Sequence, residues 1–107
     1  MSSDSGRKRE GRKSGKETLY DDLGFVLRGR QRRAVLRVMS RPMVPSQISR
    51  SIRGEYRISL NNVSRVLRDL ERKGLVECAN PHKATGRVYL LTDRGKRVRE
   101  ELVSQSD

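Results

Sequence analysis

Between Ile58 and Gly74 the apolar residues Leu60, Val63, Val66, Leu67 and Leu70 recur at spacings of three, three, one and three. At about 3.6 residues per turn, that spacing gathers them into one stripe on a helix. The positions between them, Asn61, Asn62, Ser64, Arg65, Arg68 and Arg72, are polar and fall on the other face. Ser59 is placed to cap the free amides of the first turn, and Gly74 can take the left-handed conformation that closes a helix. The pattern therefore predicts an amphipathic helix over about 59–73 with its stripe, Leu60 included, facing a core.

The same reading extends to the rest of the chain. Apolar residues at 19, 20, 23, 25 and 26 suffice for a short helix weakened by Gly24. A better helix is expected over Leu27–Met39, with Leu27, Ala34, Val35, Val38 and Met39 inside, most of its arginines outside, and Pro42 ending it. Pro45 suits the first position of a further helix, in which Ile48 and Ile52 form an apolar pair and Gly54 marks the end. Ile58 plugs the turn that follows, and Tyr56 either caps the core or touches a backbone. Beyond Gly74 the pattern turns extended: Leu75–Ala79, a connection punctuated by Asn80-Pro81 and Thr85-Gly86, then Arg87–Leu91 predict an antiparallel hairpin. Thr92 can cap a last helix, Asp93 to about Val103, held by Val98 and Leu102. The predicted order is α, α, α, α, β, β, α: a mainly helical α+β fold with one small hairpin.

Composition changes this picture in one respect. The 107 residues carry 25 Lys and Arg against 13 Asp and Glu, a formal net charge of +12, and the natural partner of such a surface is a polyanion. Residues 1–17 hold nothing to bury and read as a disordered basic tail of net +3, which leaves +9 on a single domain over 18–107. In the tail, Arg7, Lys8, Arg9, Arg12 and Lys13 suit phosphate contacts or serve only to solubilise. No stretch is apolar enough to span a membrane, so a cytoplasmic, nucleoid-associated protein is expected. A lone Cys78 forms no internal disulfide and with His82 builds no metal site. No arrangement of nucleophile, base and carboxylate stands out, and neither an enzyme activity nor a cofactor or small-molecule ligand is expected.

A short helix, a turn and a second helix with a polar N-terminal face form a helix-turn-helix, whose second helix enters the major groove of double-stranded DNA. The basic hairpin directly after it, about 75–91, makes a wing. On this reading Asn61, Asn62 and Arg65 meet base edges, while Ser46, Gln47, Ser59, Ser64, Arg68, Lys83 and Arg87 meet the DNA backbone. His82 at the loop tip faces solvent or a phosphate. The runs Phe25-Val26-Leu27-Arg28, Arg33-Ala34-Val35-Leu36, Pro45-Ser46-Gln47-Ile48, Leu60-Asn61-Asn62-Val63-Ser64-Arg65, Leu70-Glu71-Arg72-Lys73-Gly74-Leu75-Val76-Glu77-Cys78 and Tyr89-Leu90-Leu91-Thr92-Asp93-Arg94-Gly95-Lys96 resemble archaeal winged-helix transcription regulators of the MarR/ArsR-like type. That resemblance implies a winged helix-turn-helix over 24–103, the same base-reading positions, and wing contacts at Lys83 and Arg87. The chain departs from it in a longer turn at Gly54–Arg57 and in an apolar Leu90 where a polar residue is expected.

Other readings stay open at this point. A charge-driven architectural protein that coats DNA without preference accounts for the basic surface. A winged helix serving RNA or protein accounts for Tyr20, Phe25 and Leu90 if they are exposed. Whether the chain is a monomer or a homodimer is equally open.

Overall fold

The computed structural model describes residues 15–52, 54 and 57–106. Residues 1–14 of the basic tail and Tyr56 lie outside these residues. Among them the chain forms α1 (Gly15–Leu27), α2 (Arg30–Val38), α3 (Pro45–Ile52), α4 (Leu60–Lys73), β1 (Val76–Cys78), β2 (Tyr89–Leu91) and α5 (Asp93–Ser106). This is the expected mainly helical α+β winged-helix architecture, with several boundaries moved. α1 starts at Gly15, inside the stretch that composition assigned to the tail. It also runs through Gly24, because Leu23 and Val26 on either side are buried in the core and outweigh the cost of a helical glycine, about 1 kcal/mol.

The helix expected from Leu27 begins instead at Arg30. Gly29 is extended (φ −125°, ψ 121°) and acts as the N-cap of α2, so the apolar run that reads as continuous is cut in two. Leu27 consequently ends α1 and is 39% exposed rather than an inner residue. Two arginines of α2 close the severed end: Arg32 Nη1 donates to Phe25 O (2.8 Å) and Arg33 Nη1 to Leu27 O (2.6 Å). The Arg32 guanidinium also lies 4.0 Å from the centroid of the Phe25 ring. These side chains, expected on the outside of their own helix, serve as a C-cap for a neighbouring one.

α4 is closed at both ends as its sequence predicts. Ser59 Oγ accepts from Asn62 N (3.1 Å), and Gly74 sits at φ 86° with its N–H on Glu71 O and Leu70 O. Val63, Val66, Leu67 and Leu70 are buried, each worth about 1.5–3 kcal/mol of apolar burial. Leu60 is not: it is 51% exposed. At 100° per residue it sits about 70° from the centre of that stripe, where the first turn overhangs the core's edge. Ser49 Oγ, on α3, donates to Ile58 O (3.0 Å), tying the helix-turn-helix together just before α4 begins.

The strands are shorter than expected but pair antiparallel, Val76 with Leu91, Glu77 with Leu90 and Cys78 with Tyr89. Tyr89 pairs on its other edge with Met43, through Met43 N to Tyr89 O (2.9 Å) and Tyr89 N to Met43 O (2.8 Å). The second strand's outer edge is therefore held by the segment between α2 and α3. One core cluster, including Val35, Leu36, Met39, Ile48 and Leu67, joins all the helices, and Val98 and Leu102 of α5 belong to it within this one chain.

The end of α4, the root of the wing and the start of α5 meet at one point. Thr92 Oγ1 donates to Gly74 O (2.7 Å) and accepts from Gly95 N (3.1 Å), while Thr92 N donates to Leu75 O (3.0 Å). A Cβ on Gly95 would lie 2.0 Å from Leu75 O, so only glycine allows this approach. Beside it, Arg94 grips the buried Asp22 of α1 with two bonds, Nε to Oδ2 (3.0 Å) and Nη2 to Oδ1 (2.7 Å). The hydrogen bond to Asp22, against a smaller effect of desolvation, raises the Arg94 pKa further above its ordinary value.

Two stability outcomes follow from this geometry. Gly95→Ala is expected to lower the unfolding free energy by about 3 kcal/mol or more, since backbone must move to admit the methyl group. Wild-type stability on urea denaturation would contradict the close approach. Arg94→Ala leaves the Asp22 carboxylate buried without its partner and should cost about 2–4 kcal/mol, whereas pairing it with Asp22→Asn should recover part of that loss. Equal stability of the single and double variants would show that the pair contributes nothing.

Candidate nucleic-acid interface

Helical geometry sorts the polar side chains of α4. Asn61, Arg65, Arg68 and Arg72 follow one another at spacings of four, three and four, within an arc of about 60° opposite the core stripe. All four are exposed. They form a ridge that is open along its length, except that Arg72 at its far end is ion-paired with Asp69 one turn back. Asn62 lies on the flank of the ridge and is half-buried. Of the residues expected to read base edges, Asn61 and Arg65 thus stand side by side and Asn62 stands apart.

A groove of about 500 Å³ runs along one side of this ridge. Its walls come from α4 (Leu60, Ser64, Arg68), from the start of α3 (Val44, Pro45, Ser46) and from the wing (Ala84, Thr85, Gly86, Arg87, with Tyr89 at the base). Four residues expected on the DNA backbone, Ser46, Ser64, Arg68 and Arg87, are brought together here from separate parts of the chain. Gln47 turns away, its side-chain oxygen accepting from Val44 N (2.9 Å) as the return half of a cap on α3. Ser59 is exposed at the head of α4, with its oxygen engaged as the N-cap. Lys83 is exposed on the wing loop. Arg7, Lys8, Arg9, Arg12 and Lys13 are outside the described residues.

The wing loop carries its own framework. Asn80 Oδ1 accepts from Val88 N (2.8 Å) and from Cys78 Sγ (3.5 Å), and Asn80 Nδ2 donates to Gly86 O (3.1 Å). Arg87 spans the loop, with Nε on Lys83 O (2.7 Å) and Nη2 on Pro81 O (3.2 Å). The Tyr89 hydroxyl bonds the same guanidinium and raises its pKa. Gly86 is at φ 69°, a left-handed turn that closes the loop. Arg87 is therefore a brace as well as a groove wall, and its remaining N–H groups are what it can offer a phosphate.

Sequence reading missed several parts of this face. Leu60, assigned to the core, is a groove wall, and its place as the first helical residue was the available signal. Ala84 and Thr85 gave none, being small residues positioned by a loop. Of Tyr20, Phe25 and Leu90, Tyr20 is exposed (60%), Phe25 is partly buried beneath Arg32, and Leu90 is half-buried against a second hollow between α5 and the segment after α2. Among the described residues, no group of His, Cys, Asp and Glu is arranged to hold a metal ion, and no helix is long and apolar enough to cross a membrane.

No protein-family model matches this chain, and no curated protein matches it. A solved structure does: the crystal structure of a MarR family transcription regulator superposes on it with a TM-score of 0.58. The match covers 99% of this chain and 74% of that one at 22% sequence identity. The chain has a MarR-like winged-helix fold. In that fold α3 and α4 are the helix-turn-helix, and the β1–β2 hairpin is the wing.

Removing the internal framework of the wing gives a measurable outcome. Asn80→Ala leaves the Val88 amide without its acceptor and should cost about 1–2 kcal/mol of stability. Hydrogen exchange at Gly86–Val88 should accelerate while that of α4 is unchanged. Unaltered exchange in the loop would show that Asn80 does not organise it.

Proposed function

We propose that this chain is a sequence-specific, double-stranded DNA-binding transcription regulator that acts by binding rather than by catalysis. The observation that carries this reading is the groove: the start of α3, one side of α4 and the wing face it together and line it with Ser46, Ser64, Arg68 and Arg87. A helix about 10–12 Å across matches a major groove about 12 Å wide, and a wing beside it falls on the flanking backbone. The polar groups fit the chemistry of both tasks. Asn61 and Arg65, with Asn62 at the flank, present amide and guanidinium groups to base edges, Asn to adenine and Arg to guanine. Ser46, Ser59, Ser64, Arg68, Lys83 and Arg87 then fix the register on phosphates, while Gln47, expected among them, holds the start of α3 instead. In the tail, Arg7, Lys8, Arg9, Arg12 and Lys13 add contacts of the same kind. The similar solved structure is titled a transcription regulator, which supports this assignment.

Two copies are expected to act together. The outer face of α1 presents Tyr20 (60% exposed) and Leu27 (39% exposed) at a spacing of seven, on one side of the helix. Covering that stripe with a second copy would place two reading helices on one duplex.

Selection of bound sequences from a random duplex pool, with the molecular mass of the complex measured alongside, tests the reading. A defined motif should be enriched. On that motif Arg65→Ala should weaken binding by about ten- to hundredfold and relax the preference at one position, with little effect on random DNA. If no motif is enriched and affinity depends only on salt, falling with a slope of about 0.9 per phosphate contacted, the architectural reading replaces this one.

A further inference from the structure

Leu60 is unusual among the apolar residues of this domain. It is 51% exposed, it is the first residue of α4, and it stands in the groove between α3 and the wing beside Val44, Pro45 and Ala84. Tyr20 and Leu27, the other large exposed apolar residues described, lie on α1, away from this groove. A strip of apolar side chains thus crosses a surface otherwise lined by Ser46, Ser64, Arg68 and Arg87.

Side chains of a helix lean toward its N-terminus, so the Leu60 isobutyl group projects past the head of α4 rather than back along it. In a helix-turn-helix the N-terminal residues of the reading helix are the ones that reach base edges. The only apolar group that base pairs display in the major groove is the C5-methyl of thymine. Asn61, the next residue, is exposed on the ridge and can bond the adenine of an A·T pair. A leucine in this place keeps apolar surface in water in the free protein, and covering that surface with such a methyl group is favourable.

We infer that Leu60, in the groove it shares with Val44 and Pro45, is a thymine-methyl reader that adds a preference for A·T pairs at the edge of the site read by Asn61 and Arg65. The inference rests on the DNA-reading function proposed above and specifies one of its contacts.

The test uses the full chain and the duplex enriched by selection. Each thymine is replaced in turn by deoxyuridine, which removes the methyl and leaves base pairing intact. At one or two neighbouring thymines the replacement should weaken wild-type binding by about fourfold, the factor expected for burying one methyl-sized group. Leu60→Ala should bind the thymine duplex more weakly by a similar factor and be indifferent to the same replacement. Leu60→Gln, which keeps the bulk but not the apolar surface, should behave like Leu60→Ala, and all three proteins should melt alike because the site is exposed. Indifference of the wild type to every replacement, or an undiminished deoxyuridine penalty in Leu60→Ala, overturns the methyl contact while leaving the regulator reading standing. Failure to enrich any sequence removes both.

Discussion

The structure depends on the contact between Gly95 and the carbonyl of Leu75. Glycine is needed there because a Cβ would occupy the same space as the carbonyl oxygen. The contact brings the start of α5 onto the residue that joins α4 to the wing. Thr92 then bonds both sides of the junction, and Gly74, left-handed, turns the chain sharply enough for the wing to return along α4. Arg94 adds α1 to the same point through Asp22. The end of α4, the wing root, α5 and α1 therefore meet in one small region. Pre-organisation of this sort matters for a binding surface, because side chains held in place lose less freedom on association than those that must be ordered first.

The basic residues divide into two populations with different tasks. Arg32 and Arg33 finish α1 by satisfying carbonyls that the Gly29 break exposes, and Arg99 does the same for α2 through Arg37 O (2.9 Å). Arg94 neutralises a buried carboxylate, and Arg87 braces the wing. These are uses of the guanidinium fork as a hydrogen-bond donor. Arg65 and Arg68 belong to the other population, on the open ridge beside Asn61. Five arginines are thus held by internal partners, while other exposed basic residues, among them Arg28, Arg41, Arg50, Lys96 and Arg97, lie off α4.

Much of the fold was legible in the residues because its signals were local. α4 could be read from Ser59, Gly74 and the spacing of Val63, Val66, Leu67 and Leu70, and α5 from Thr92 with Val98 and Leu102. Misreadings arose where tertiary partners decided the outcome. The break at Gly29 is concealed by an apolar pattern that runs across it, and the arginines that make it tolerable act on a different helix. The edge pairing of Met43 with Tyr89 and the bond from Arg94 to Asp22 join residues far apart in the chain, for which no local pattern exists. In the candidate site, the polar face of α4 was visible from periodicity. Its separation into an open ridge at Asn61, Arg65 and Arg68, a flanking Asn62 and an apolar Leu60 at the groove depended on how far the helix overhangs the core.

The proposed DNA-binding face is tested most directly by a backbone amide NMR titration of the full protein with its selected duplex. The account predicts the largest shifts along the outer face of α4 from Ser59 to Arg68 and in the wing loop from Ala84 to Arg87, with smaller changes over α1 and α5. Shifts spread evenly over the basic surface, or strongest on α1 and α5 with α4 unmoved, would contradict it.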